Sequence, residues 1–162
     1  MRLGVPELLV ILAIVILIFG ASRLPELIAP RSGNERILLV EDDMAVRSMT
    51  QSLLERQGYS VASAGSGEEA LNLAALHRDR IDLVLTDVGM AGMSGPQLVE
   101  RLRSNSGSLP VLFMSGHPPD QMPTLGIDAT DDILRKPFTP SALAIAVRAV
   151  LDRVRGEQAG SV

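Results

Sequence analysis

Cysteine is absent from the 162 residues, which excludes disulfides, thiolate metal sites and a cysteine nucleophile. Aromatic residues are almost as scarce: three Phe, one Tyr and no Trp. A core drawn from the 46% of apolar residues must therefore be aliphatic. The two histidines, His77 and His117, stand far apart and offer no metal-ligand spacing. No basic run and no basic-aromatic interleaving accompanies the net charge of −4, so nucleic-acid binding is not expected. Lysine is the most telling scarcity. Of fifteen basic residues fourteen are arginine, and Lys136 stands alone. A compact ammonium and a planar guanidinium act differently, so a lone lysine among arginines reads as chemically specified, with chance as the plainer alternative.

What is present divides into two unlike parts, in a length that suits one domain with a real core. Leu8–Phe19 is an uninterrupted apolar run, LLVILAIVILIF. As helix it reaches only about 18 Å, or about 21 Å if extended to Ala21, against a hydrocarbon core of about 30 Å. That length admits a signal-peptide apolar region, a short membrane span or a buried helix. Pro6 and Glu7 stand where a signal peptide needs a basic stretch, while Arg23, Arg31 and Arg36 follow the run and only Arg2 precedes it. The asymmetry favours an anchor whose C-terminal side is cytoplasmic. Pro6-Glu7-Leu8, the short apolar run, Phe19-Gly20 and Arg23-Leu24-Pro25-Glu26-Leu27 together resemble the N-terminus of the small single-span subunit of the twin-arginine translocase. The resemblance implies a membrane span leading into an amphipathic helix, which Pro30, Gly33 and Asn34 cut short here.

From Glu35 onward the hydrophobic pattern alternates between strand and helix periods. Strands are expected at Arg36–Glu41, Tyr59–Ala64, Ile81–Leu85, Pro110–Met114 and Ile133–Arg135, and helices at Met44–Gln57, Glu68–His77, Pro96–Arg103 and Thr139–Val154. Gly116–Thr130, with Pro118, Pro119, Pro123 and Gly126, supports at most a weak helix. This succession of βα units implies an α/β fold, a doubly wound parallel sheet with helices on both faces. The expected organisation is a short membrane helix over 1–22, a linker with a short helical turn over 23–34, the α/β domain over 35–155 and a flexible tail over 156–162.

Ligands of such folds collect at the carboxyl ends of the strands. There the sequence sets Glu41-Asp42-Asp43, Asp87, Ser115 and Lys136, after the first, third, fourth and fifth strands. Clustered carboxylates repel unless a cation neutralises them or one takes a proton. A hard divalent ion such as magnesium meets that need with carboxylate, water and phosphate oxygens. Phosphoryl transfer asks little beyond alignment and charge stabilisation, so Asp87 is the candidate nucleophile, with Lys136 and Ser115 to stabilise charge. The plainer reading of Asp42-Asp43 is a cap on the first helix.

Leu39-Val40-Glu41-Asp42-Asp43, Leu85-Thr86-Asp87-Val88-Gly89-Met90, Phe113-Met114-Ser115-Gly116 and Lys136-Pro137-Phe138 together resemble the receiver domain of two-component response regulators, most of all receivers attached to hybrid histidine kinases. The resemblance implies the flavodoxin-like strand order 2-1-3-4-5 and phosphorylation of Asp87 by a histidine kinase or phosphotransfer protein. It also implies Mg2+ bound directly by Asp43, through water by Asp42, and by Asp87 and the backbone carbonyl of Gly89. Lys136 would pair with the phosphoryl group, Ser115 would move to hydrogen-bond it, and Gly116 would leave room for the donor. The Lys136-Pro137 bond is expected to be cis. Two positions depart from the family: Ile133 replaces its switch aromatic, and Ala91 replaces a proline in the loop after Asp87.

Other readings are weaker. Gly65-Ser66-Gly67-Glu68-Glu69-Ala70 matches a dinucleotide fingerprint, but two glutamates at a helix start oppose a pyrophosphate. An aspartyl-phosphate hydrolase would carry its Asp-x-Asp after the first strand, whereas Asp87 follows the third. No output domain is expected after Val154, which leaves phosphate storage or contact with a downstream protein. The expected location is the inner membrane, held by residues 5–22, with the receiver in the cytoplasm where donors are found. The alternatives are a translocase-like membrane component with an appended receiver, or a cytoplasmic receiver whose first residues are a gene-model accident.

Overall fold

The structure is a computed structural model that describes residues 34–77, 80–106 and 108–159. The expected membrane helix over 1–22 and nearly all of the linker over 23–34 lie outside these residues. Five strands, β1 (Arg36–Val40), β2 (Ser60–Ala64), β3 (Leu83–Asp87), β4 (Val111–Ser115) and β5 (Asp132–Arg135), alternate with helices α1 (Met44–Arg56), α2 (Gly67–Leu76), α3 (Gly95–Ser106) and α4 (Pro140–Ala159). All neighbouring strands are parallel, in the order β2-β1-β3-β4-β5. This is the expected doubly wound sheet. Among the described residues no helix is long and apolar enough to cross a membrane.

Successive strand residues point to opposite faces, and the sequence fills both faces with aliphatics. Ile37 and Leu39 of β1 and Leu83 and Leu85 of β3 join Leu54, Leu143, Val147 and Leu151 of α1 and α4 in one core. Leu38, Val40 and Val84 face the other way, onto Ala70, Leu98 and Leu102 of α2 and α3. Every residue of β3 and β4 is buried, whereas the outer strands β2 and β5 are only partly covered. Burial of a large aliphatic side chain is worth about 1.5–3 kcal/mol, so the central strands fix the sheet.

Local chemistry sets the helix starts. The Ser94 hydroxyl accepts from the Gln97 N–H, and the Gln97 side chain accepts from the Ser94 N–H at 3.0 Å, a reciprocal cap on α3. At α2 the Ser66 hydroxyl accepts from the Glu69 N–H, and the Glu69 carboxylate accepts from the Gly65 N–H at 2.7 Å. The Gly-Ser-Gly-Glu-Glu turn is thus a self-satisfied helix start. The proline-rich stretch before β5 yields two 3-10 turns, Pro119–Gln121 and Pro123–Leu125, ended by Gly126 at φ +82°. The last helix differs from expectation: α4 runs to Ala159, taking in the first residues of the expected tail.

Candidate functional site at the strand carboxyl ends

Glu41 follows the buried strand β1 and continues its line. It is 1% exposed, and its N–H donates to the Ala64 carbonyl at 3.1 Å. The chain then turns into α1, where Asp43 is the cap: its Oδ1 accepts from the Ala45 and Val46 N–H groups at 2.8 and 3.0 Å. Between them Asp42 is exposed. Its Oδ2 accepts from the Ala91 N–H at 3.3 Å. Asp87 closes β3; its Oδ2 accepts from the Gly89 N–H at 3.0 Å and its Oδ1 from Lys136 Nζ at 2.6 Å. The same ammonium donates to Glu41 Oε2 at 2.5 Å. Carboxylate oxygens of Glu41, Asp42 and Asp87 all lie within 4.8 Å of one another. Behind them α3 starts very close: a Cβ on Gly95 would fall 2.2 Å from the Asp87 carbonyl oxygen, so only glycine fits there.

Three carboxylates and one ammonium leave an excess of negative charge at this edge. Burial raises the Glu41 carboxyl above its ordinary value; the Lys136 hydrogen bond opposes that, and the Asp87 charge adds to it. For Lys136, burial alone would lower the ammonium. The hydrogen bonds and charges of Asp87 and Glu41 together outweigh burial and carry it above the usual lysine value. Lys136 is therefore held protonated between two acids.

Ser115 ends β4 and is 1% exposed. Its hydroxyl accepts from the His117 N–H at 3.1 Å and lies 3.3 Å from His117 Nδ1, while its carbonyl accepts from the Lys136 N–H at 2.8 Å. The His117 ring stands against Gly89, where a Cβ would meet its Cε1 at 3.0 Å. The bond between Lys136 and Pro137 is cis, as expected.

Asp42, Asp87 and Lys136 are thus brought together, with Ser115 on the adjoining strand. Asp43, expected to bind magnesium directly, lies outside that group. Its Oδ1 is taken by two backbone N–H groups that α1 leaves unpaired at its start, and Glu41 is the third acid of the cluster. Arg47 also went unnoticed in the sequence. Its Nη1 donates to the carbonyls of Glu41 and Asp42 at 2.5 and 3.3 Å. Ala91 supplies an N–H that the family's proline would lack, and it reaches Asp42.

Residues 37–148 match the family model "Response regulator receiver domain". The chain belongs to the response regulator receiver family. Residues 1–29 of this receiver protein match a second model, the mttA/Hcf106 family. It is similar to Response regulator MprA of Mycobacterium leprae (strain TN), 39% identical over 125 residues, 76% of this chain and 54% of that one. It is also similar to Sensor kinase CckA of Brucella abortus (strain 2308), 37% identical over 75% of this chain and 13% of the kinase. The receiver protein therefore spans about half the length of the first relative and a small part of the second. Among solved structures, the receiver domain of Hybrid Histidine Kinase CckA is 40% identical, with TM-score 0.62 over 72% of this chain and 98% of that one. The chemotaxis protein CheY4 of Vibrio cholerae is 30% identical, with TM-score 0.64 over 74% of this chain and 100% of that one.

Within this receiver, Ile133 occupies the position of the family's switch aromatic. It is partly buried against the α2–α3 core and lines a hollow of about 290 Å³ with Pro119, Met122 and Arg135. Among the described residues, a Cβ on Gly116 would touch only the Lys136 Cβ, at 3.9 Å.

Proposed function

We propose that this receiver takes a phosphoryl group on the Asp87 carboxylate from the phosphohistidine of a histidine kinase or phosphotransfer protein, in a two-component phosphorelay. Residues 5–22 tether it to the inner membrane with the receiver in the cytoplasm. The observation that carries the phosphoacceptor reading is the Lys136 ammonium, 2.6 Å from Asp87 and 2.5 Å from Glu41.

An Asp87 oxygen forms the new P–O bond as the P–N bond to the donor imidazole breaks, leaving an acyl phosphate and a free histidine. Asp87 is fixed for attack by the Gly89 N–H on one oxygen and Lys136 on the other. Lys136, already protonated and anchored by Glu41, meets the charge of the incoming phosphoryl oxygens. The Ser115 hydroxyl, one residue beyond the strand partner of Asp87, is the next donor to reach them. The donor set of Glu41, Asp42 and Asp87, hard carboxylate oxygens within 4.8 Å of one another, fits a divalent cation, and the family resemblance would add the Gly89 carbonyl as a further ligand. Bound there, Mg2+ supplies charge neutralisation at the phosphoryl oxygens. The chain on this reading is a phosphoryl acceptor that completes its own transfer and is not a turnover enzyme.

The test is incubation with acetyl phosphate and Mg2+. Hydroxylamine-labile phosphate is expected on the wild-type chain and none on Asp87→Asn. An unlabelled wild type, or equal labelling of the variant, refutes the assignment.

A further inference from the structure

We propose that Arg47 is a positioning residue for the acidic loop, its guanidinium seated over Gly65 and fixing the backbone from which Glu41 and Asp42 project. This rests on the reading of that cluster as a divalent-cation site. A single nitrogen, Nη1, donates to the Glu41 carbonyl at 2.5 Å and to the Asp42 carbonyl at 3.3 Å. The peptides of two of the three clustered acids are therefore held by one charged donor, and charge-assisted hydrogen bonds are about twice as strong as neutral ones.

What Arg47 leaves alone matters as much. Among the described residues its side chain makes no ion pair with Glu41, Asp42 or Asp87. A guanidinium on those carboxylates would neutralise them and compete with a cation. Placed on the carbonyls instead, it relieves the repulsion of the acidic edge through space and takes none of the carboxylate oxygens itself. Its seat is specific. A Cβ on Gly65 would lie 3.2 Å from Nη1, 3.4 Å from Cζ and 3.5 Å from Nη2, so the guanidinium packs directly on this glycine after β2 and a larger residue would shift it by a few tenths of an ångström. Gly65 has no positive φ, so alanine is acceptable to the backbone itself and acts only by nudging Arg47.

The inference is tested by Mn2+ binding to the full-length chain, read from the electron paramagnetic resonance signal of free Mn2+, with thermal unfolding measured in parallel. Groups that orient metal ligands typically change affinity about 10–100-fold when removed. Arg47→Gln is expected to weaken Mn2+ binding about tenfold while still unfolding cooperatively. Gly65→Ala shifts affinity the same way by less. Arg47→Lys recovers much of the loss, because both bonds come from one nitrogen that an ammonium can replace. Wild-type affinity in Arg47→Gln overturns the proposal. So does weakened binding that appears only with lost cooperative unfolding while Gly65→Ala binds normally, since Arg47 would then be merely structural. A wild-type chain that binds no Mn2+ refutes the cation-site reading and the role of Arg47 with it, whereas normal wild-type binding with unaltered variants refutes Arg47 alone.

Discussion

Glu41, Asp42 and Asp43 are consecutive carboxylates with three different fates. Glu41 is buried against Lys136, Asp42 is exposed and reached by the Ala91 N–H, and Asp43 caps α1. Their chemistry is separable by substitution. Asp43→Ala is expected to lower the thermal midpoint, because two N–H groups lose their acceptor, and to leave Mn2+ affinity near wild type. Asp42→Asn is expected to do the reverse, weakening Mn2+ binding about tenfold or more with little effect on unfolding. Equal Mn2+ affinity in the two variants would contradict this division. Much of the division was legible. The expected start of α1 at Met44 already makes the preceding Asp43 its cap, and a strand carried through Glu41 already keeps that residue with the sheet. What hid it is that two adjacent aspartates look like a ligand pair until the cap claims one. Arg47 was invisible for another reason: its target is a backbone carbonyl, and nothing in a sequence marks which arginine reaches one.

At the scale of elements, the strands and their order follow from alternating aliphatics that bury on two faces, and this was readable from Glu35 onward. The boundaries were less so, because a strand ends where pairing ends: β3 runs through Asp87, which pairs in register with Met114. Nor did the pattern reveal how β1 is tied to α4. Glu35, 5% exposed at the opposite edge of the sheet from Asp87, accepts from Arg148 Nη2 at 2.9 Å and pairs with Arg155 at 2.7 Å. Burial alone would raise this carboxyl, but the Arg148 hydrogen bond, a backbone bond and the two guanidinium charges hold it below its ordinary 4.5. A lowered carboxylate pKa in the fold favours folding when the group is ionised. The contribution is complete above about pH 4.5 and is lost as pH falls through the lower folded value. Urea unfolding of wild type and Glu35→Gln should therefore differ by a constant amount near neutral pH. That gap should close on acidification, and a gap unchanged at acid pH would show that the ionised pair contributes nothing. Breaking a buried pair costs about 3–5 kcal/mol; exposure of Arg155 puts the neutral-pH difference at the lower end of that range or below.

For the molecule as a whole, the receiver and the proposed anchor are separate stretches of one sequence. The receiver buries its aliphatics within itself, and solved receivers that this chain covers over 97–100% of their length exist as separate chains. Leu8–Phe19 contains no polar residue, and arginines follow it, which is the basis of the proposed anchor. Residues 1–29 match the mttA/Hcf106 family. Anchoring and phosphoryl acceptance should therefore separate cleanly. The full-length chain is expected to sediment with membrane vesicles and to resist extraction by high salt, which would strip a charge-bound protein. A chain lacking residues 1–22 should remain in the supernatant. Both should acquire hydroxylamine-labile phosphate on Asp87 at the same rate, because acetyl phosphate reaches the strand ends without a membrane partner. A full-length chain that stays soluble would remove the anchor and leave the acceptor standing. Slower labelling of the shortened chain would mean that the first residues act on the receiver itself.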